Sequence, residues 1–487
     1  MFKLTICSHR GPVAYRRTGA GVQARAAGPG GLVAAVAPAA ARLGATWFYA
    51  ASSEGDREVA RRYPAGVCEQ GMTLRPLDLP GADHRAQYEV ISCGLLAPLF
   101  HYMFSLTYAP VFTRGVQDAW AAYRRINDVF ADAVCAVATH AVAVEDTQLM
   151  LVGAALRARA NPPDVRLAYF HHVPWCDPSY FAILPEALRQ QILGGLLAYD
   201  SVGFHCRRWA DAFTACCERF LSGACRDGDH VRWQGRLIDV AVMPAAIDIG
   251  VVRACAASAD AEMWRERFGL LKGDERSLFV RVERADPSKN AIRGLRAYEL
   301  LLERCPELVA TTQLLAVLTP VRGWVPEYRQ YLTATKDIAA QINDRFRRDG
   351  PVVSLHIAED AHRPDHARAV AALALADVVV VNPTFDGLNL VAMEAAVAGD
   401  ASLVLSENTG AHDLLGSAAL CVNPFDIDQT TTAMTQALHA PEAQRRDQAA
   451  RRRGLVAART PQQWITQRLQ RCTPSQRTTL TPHEAPR

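Results

Sequence analysis

Asp386, Gly387, Asn389, Leu390 and Glu394 fall within one short stretch, DGLNLVAME (386–394), close behind the apolar run DVVVV (377–381). The run predicts a strand, and the polar, glycine-containing text after it predicts a loop opening into a helix. In an α/β protein that junction is a ligand site. The amides of Asn389 and Leu390 begin the helix, and its positive end can hold a diphosphate. Glu394, about one turn inside, can accept hydrogen bonds from two neighbouring hydroxyls such as a ribose offers. Asp386 then faces the reacting group.

A second segment supplies the opposite charge. VERADPSKN (282–290) leaves the apolar run SLFVRV (277–282) and places Arg284 and Lys289 at a strand's carboxyl end. Two cations there suit a departing nucleotide diphosphate, whose charge grows in the transition state. The N-terminal half has comparable features. Arg10 follows the run LTIC (4–7), and GPGGLVAAV (28–36) offers Gly30 and Gly31 where backbone amides can approach phosphate. FHHVPW (170–175) ends another apolar run, so His171 or His172 can meet a sugar hydroxyl or a backbone carbonyl.

Positioning these residues requires two doubly wound sheets. Short β-branched runs alternate with longer amphipathic stretches, as in repeated βαβ units. The first set is LTIC, TWFYA (46–50), HAVAV (140–144), VRLAYF (165–170), SVGF (201–204) and IDVAVMP (238–244). The second is SLFVRV, LLAVL (314–318), VVSLHI (352–357), DVVVV, SLVLS (402–406) and LCVNP (420–424). A linker near 244–250 separates them. The reading is therefore a domain over 1–245, completed by a returning helix at 458–472, a second domain over 246–457, and a disordered tail at 473–487.

Composition agrees with a globular protein of this size. At 487 residues the chain exceeds one core and suits two. A net charge of +3 is too weak a field to argue for nucleic acid or an anionic membrane. RRDQAARRRG (445–454) reads as a solvated helical face. The 13 cysteines are scattered, with no CxxC pair, which points to reduced thiols of a cytoplasmic protein without a zinc site. The apolar part of MFKLTICSHR is too short for a signal peptide, and no segment approaches a membrane span.

Taken together, the segments resemble the trehalose-6-phosphate synthases, glycosyltransferase family 20, and the related validoxylamine A 7'-phosphate synthase-like pseudoglycosyltransferases, over residues 3 to 470. DGLNLVAME resembles the family's DGMNLVAKE, SENTGAHDLL (406–415) its SxxAGAxxEL, and VNPFDID (422–428) its VNPYD. FHHVPW resembles FLHIPFP, LLAPLFHY (95–102) resembles LWPAFHY, and SHR (8–10) resembles SNR. The resemblance implies the GT-B fold, two Rossmann-like doubly wound domains facing a central cleft.

It also implies roles. Arg284 and Lys289 would bind the donor diphosphate and, with His172 and Asp386, carry catalysis. Gly31, Gly387, Asn389 and Leu390 would line the donor, and Glu394 would hold its ribose. Arg10, Tyr88 and Arg322 would grip the acceptor's phosphate while Asp146 orients its hydroxyls. The implied reaction is transfer with retention of configuration and without metal or other cofactor, a UDP- or GDP-activated sugar being the co-substrate. The acceptor would be a phosphorylated sugar or cyclitol, with no nucleic-acid or membrane partner, and the reading is compatible with a homo-oligomer.

Departures from the pattern gather on the acceptor and sugar side. Ala97 stands for the tryptophan of LWPAFHY, Glu145, Asp146 and Thr147 for HDY, Phe385 for the arginine before DG, and Met393 for the lysine before Glu394. ADPSKN in place of LDYSKG resembles the pseudoglycosyltransferase branch, which couples an activated cyclitol to an aminocyclitol phosphate through nitrogen. That coupling is the alternative activity. An inactive sugar-phosphate-binding regulator is the alternative of another class, opposed by the retained Arg284, Lys289, Asp386 and Glu394.

Overall fold

A computed structural model of the chain describes residues 2–19, 21–26, 31–161, 164–273, 276–348, 350–358 and 365–472. Gly30 and the tail read as disordered, 473–487, lie outside the described residues. Two compact units divide the chain. One takes Met1–Ala26, Val36–Met243 and Gln462–Arg487, and the other Ala27–Ala35 and Pro244–Pro461.

In the first unit the strands are β1 (Leu4–Ser8), β2 (Val13–Thr18), β3 (Gly21–Ala26), β4 (Thr46–Ala50), β5 (Val67–Glu69) and β6 (Met72–Leu77). They continue as β7 (Ala141–Glu145), β8 (Arg166–His171), β9 (Ser201–Phe204), β10 (Cys225–Asp227), β11 (His230–Trp233) and β12 (Arg236–Val242). One sheet has the order β10-β11-β12-β9-β8-β7-β1-β4-β6-β5, and β2 pairs with β3 as a separate hairpin. From β12 to β6 every pairing is parallel. The chain winds outward from β1 through β4 and β6 on one side, then through β7, β8, β9 and β12 on the other. The order therefore reverses between β1 and β7, and both strands are buried throughout, as a sheet covered on both faces requires.

The second unit contains β13 (Ser277–Arg284), β14 (Thr312–Thr319), β15 (Val353–Ile357), β16 (Val378–Val381), β17 (Ser402–Ser406) and β18 (Leu420–Val422). Their order is β15-β14-β13-β16-β17-β18, all parallel. This is the doubly wound Rossmann order, with its reversal between β13 and β16. Phe279, Leu314 and Val404 from the sheet pack with Leu295, Tyr298 and Leu301 of the helix Ala291–Arg304 in one core. The spacing of the buried helix positions is the three-and-four repeat of one face.

All twelve apolar runs form strands. The strands not read from sequence are the hairpin β2–β3 and the antiparallel strands β5, β10 and β11 with parallel β6. β10 is exposed along its length and β2 alternates buried with exposed residues, so neither presents an apolar run.

The helix Pro461–Arg471 buries Trp464, Ile465 and Leu469. Trp464 Nε1 donates to the carbonyl of Met243 at 3.2 Å, and its ring meets Phe170 edge-on at 5.0 Å, so this helix is part of the first unit. The expectation of a solvated face at 445–454 holds for most of that helix but needs correction at one arginine. Arg452 is only 2 % exposed and donates to the carbonyls of Ala418 (2.7 Å) and Ala401 (2.5 Å). Those carbonyls precede the strands β18 and β17, and because a buried carbonyl needs a donor, one guanidinium of the helix turns inward. Burial, and then Arg453 beside it, lowers the Arg452 pKa to about 10.

Candidate active site

In the second unit the charged residues gather where the strand order reverses. Arg284 is the last residue of β13, and after it Asp286 accepts from the Ser288 amide (3.1 Å) and hydroxyl (2.9 Å), closing a tight turn through Pro287. The turn delivers Lys289, whose ammonium donates to Asp386 beyond β16. Asn389 Nδ2 donates to the same carboxylate oxygen at 3.0 Å, while its side-chain oxygen accepts from the Ala392 amide and caps the helix Leu390–Ala398.

The two loops are locked together from behind. Thr384 donates its amide to Ser288 O at 2.9 Å, and Asn290 Nδ2 donates to the carbonyls of Asn382 (2.9 Å) and Pro424 (2.8 Å). Arg281, fully buried in β13, donates to Asn382, to the Lys289 carbonyl at 3.1 Å and to Glu283. A side chain at Gly294 would put its Cβ 1.9 Å from that guanidinium, so glycine makes the room. Burial raises the Glu283 pKa, although the Arg281 charge opposes it.

Arg322 follows β14 with φ of 50°, and its guanidinium lies 5.1 Å over the Tyr328 ring and bonds the Tyr328 hydroxyl. Arg322 and Arg284 approach the Asp286 carboxylate at 3.9 and 3.8 Å. Thus Arg284, Lys289, Arg322 and Asp386 share one strand-end cluster. Three cations and two carboxylates leave an excess of positive charge there, as an anionic ligand needs. Glu394 is paired within the unit, its Oε1 lying 3.2 Å from His366 Nε2. Gly31 is exposed, and a Cβ built on it would lie 3.4 Å from Leu390 Cδ1. Gly387 sits in the same loop, against Gly410, whose amide donates to Asp386 O at 3.2 Å.

The first unit has its own reversal, with Arg10 beyond β1 and Asp146 beyond β7. Arg10 is exposed, and its carbonyl accepts from Ser8 Oγ at 2.6 Å, a hydroxyl that also accepts from Trp47 Nε1 at 2.7 Å. Tyr88, half-buried on a π-helical stretch (Ala86–Leu96), stacks on His9 with ring centres 4.5 Å apart. His9 Nε2 lies 2.9 Å from His84 Nε2. Two imidazolium rings cannot share that contact, and burial, then His84 and Arg10, holds the His9 pKa down to about 3.

Asp146 adopts φ of 69°, unusual outside glycine, and its Oδ1 is buried with no hydrogen-bond partner. Tyr123 holds the segment after it, donating to Thr147 O at 2.6 Å and accepting from the Met150 amide at 3.1 Å. A buried oxygen kept without a partner on a strained backbone retains its capacity to accept a hydrogen bond.

Of the two histidines, His171 belongs to the core. It is 0 % exposed, between the Tyr169 hydroxyl (3.1 Å) and Pro174 O (3.2 Å), and burial lowers its pKa to about 3 against the pull of the Pro174 carbonyl. His172 reaches the edge, with Nε2 2.8 Å from Glu145 Oε2. Arg468 Nη1 donates to Glu145 Oε1 at 2.8 Å. Burial would raise the Glu145 pKa, yet Arg468 and His172 together hold it below the usual carboxylate value.

Asp286, Tyr328, Glu145, Arg468 and His366 were not singled out by sequence as members of these clusters. Asp286 had a signal, an aspartate before proline in ADPSKN, which favours a turn. Arg468 and His366 had none, because their partners lie far along the chain.

Neutral buried imidazoles make stability depend on pH. His171 and His9 bind fewer protons folded than unfolded, so their contribution is complete above about pH 6.5, the unfolded value, and is lost as pH falls toward about 3. For His171 the slope approaches about 1.4 kcal/mol per pH unit. The urea midpoint is expected to drop steadily from pH 7 to pH 5; a constant midpoint would contradict neutral burial.

The family model of glycosyltransferase family 20 matches residues 3–473. A trehalose-6-phosphate synthase of Mycolicibacterium vanbaalenii is 31% identical over 469 residues, covering 93% of this chain and 92% of that one. A validamine 7-phosphate valienyltransferase of Streptomyces hygroscopicus subsp. jinggangensis is 29% identical over 483 residues, with 96% and 93% covered. The solved E. coli enzyme bound with UDP-2-fluoro glucose superimposes with a TM-score of 0.82 at 26% identity, over 96% of this chain and 99% of that one. The fold is GT-B. With both sheets wound as that fold requires and the family pattern running through nearly the whole chain, the protein belongs to glycosyltransferase family 20 and is an enzyme, a glycosyltransferase.

Proposed function

We propose that the enzyme moves a sugar from a nucleotide-diphosphate donor to a phosphorylated sugar or cyclitol, with retention of configuration and without a metal ion. The observation that carries this reading is the cationic group at the reversal between β13 and β16. Arg284 and Lys289 stand where a doubly wound sheet receives phosphate, beside the capped start of the helix Leu390–Ala398.

In the proposed reaction the bond from the anomeric carbon to the diphosphate oxygen breaks, and the acceptor hydroxyl forms its bond on the same face. The proton of that hydroxyl passes to the departing phosphate. The protein contributes orientation and positive charge where negative charge grows. Arg284 and Lys289 carry the second role. Asp386, held by Lys289 and Asn389, and His172 meet the transferred ring, while Glu394 takes the ribose. Arg10, Tyr88 and Arg322 take the acceptor's phosphate, and Asp146 its hydroxyls.

The relatives' names, among them a UDP-forming synthase and a validamine 7-phosphate valienyltransferase, support a UDP-activated donor and a sugar phosphate or its cyclitol counterpart, with a GDP-activated donor as the alternative. One specific observation favours the cyclitol side. Ala97 and Thr147, where the synthases carry tryptophan and tyrosine, are small and buried, so the acceptor wall is shaped differently. A nitrogen nucleophile on an aminocyclitol phosphate is the second reading.

Isothermal titration with UDP and GDP, followed by incubation with a panel of UDP- and GDP-sugars and sugar or aminocyclitol phosphates with mass detection, tests the proposal. One nucleoside diphosphate is expected to bind, and a coupled phosphorylated product to appear in step with its release. Failure of both diphosphates to bind would refute the donor site.

A further inference from the structure

Glu145 is a buried carboxylate of the first unit with both oxygens engaged, and the position is one where this chain departs from its family. It ends β7 with 0 % exposure, and each oxygen has its own partner. Arg468 takes Oε1 at 2.8 Å and His172 takes Oε2 at 2.8 Å. Arg468 is itself immobilised, 2 % exposed, its guanidinium 4.7 Å over the rings of both Phe170 and Trp464. His172 packs against Phe170 at 4.9 Å, Trp464 at 6.2 Å and His205 at 5.3 Å.

The network has a definite proton arrangement. An ionised Glu145 can only accept, so the Nε2 of His172 must carry the hydrogen. When the ring carries a single hydrogen, its lone pair then sits on Nδ1. We infer that Glu145 and Arg468 are positioning residues, which fix the His172 ring and its tautomer so that Nδ1 accepts a hydrogen bond from a hydroxyl of the transferred ring. Glu145 supplies the anion and Arg468, brought by the helix Pro461–Arg471, keeps that anion in place and balances its charge. This inference rests on the proposed transfer reaction and deepens it, by naming what orients His172 and which of its nitrogens faces substrate.

The test compares Glu145→Gln, Glu145→Gln with Arg468→Met, His172→Ala, and Glu145→Gln combined with His172→Ala, each in the full chain. Glu145→Gln lets the amide donate to His172 and invert the tautomer. Its kcat is expected to fall about 10- to 100-fold, the range for groups that orient a functional histidine from behind, with acceptor KM changed much less. Because Glu145→Gln alone leaves a buried guanidinium uncompensated and can destabilise the fold, the double variant removes both charges. That variant is expected to melt near the wild-type temperature yet keep the loss in kcat; recovery of wild-type kcat would reduce the network to charge balance and overturn the inference. In the His172→Ala background Glu145→Gln is expected to cost less than about twofold, since neighbouring groups that act as one do not add. Full additivity would overturn it. Wild-type kcat in His172→Ala would remove His172 from the reaction, whereas a wild-type chain that binds donor but transfers nothing to any acceptor would refute the underlying reading instead.

Discussion

Arg284→Ala is expected to lower turnover at saturating substrates by about 10²–10³-fold, the cost of removing one charge-stabilising donor from a transition state. Folding should hardly notice. The Arg284 side chain is 55% exposed and its ion pair with Asp286 spans 3.8 Å, so the contact contributes well under about 1 kcal/mol. A structural arginine would show the reverse pattern, with lowered stability and intact kcat. Steady-state kinetics with a urea melt of the same sample separate the two. Because the diphosphate becomes more negative as it leaves, the loss should fall on kcat and on kcat/KM alike. Wild-type turnover in this variant would take Arg284 out of the mechanism.

Gly410→Ala is expected to damage the site without touching a charged residue. A Cβ at Gly410 would lie 2.1 Å from the carbonyl oxygen of Gly387, closer than real Cβ contacts come, and that oxygen is backbone. The Gly410 amide also donates to Asp386 O at 3.2 Å, and Asp386 bridges to Thr409. Relief therefore requires the loop of Asp386, Gly387 and Asn389 to move. Overpacking of this kind costs about 3 kcal/mol, and a displacement of about 1 Å at a reacting group costs about 100-fold in rate. The expected result is a lowered melting temperature together with weakened nucleoside diphosphate binding, read by calorimetry. A folded Gly410→Ala protein with unchanged affinity would show that the loop's position is not what makes the donor site.

The sequence made the parallel sheets legible because strands covered on both faces must be apolar end to end, as in DVVVV and SLVLS. The edge strands escaped notice for the converse reason. Exposed on one face or both, Cys225–Asp227 and Val67–Glu69 carry no such run. Arg284 and Lys289 stood out because strand ends in this fold class expose their loops, and Asp386 for the same reason. The partners that set their geometry did not stand out. Glu394 looks free in DGLNLVAME, but His366 reaches it from another helix. Arg468 comes from the last described helix to Glu145 on β7, a pairing across 323 residues that no local pattern encodes. Arg452, in a run that reads as solvated, turns inward because two carbonyls of the second unit need a donor.

The central claim is that protein cations alone carry the charge of a departing diphosphate while the new bond forms on the face it leaves. The most direct measurement is transfer from an anomerically defined nucleotide sugar in the presence of a strong chelator, with the product linkage read by the anomeric proton coupling in NMR. The account predicts undiminished turnover and a product that keeps the donor's anomeric configuration. Activity abolished by the chelator and restored by a divalent ion, or a product of inverted configuration, would contradict it.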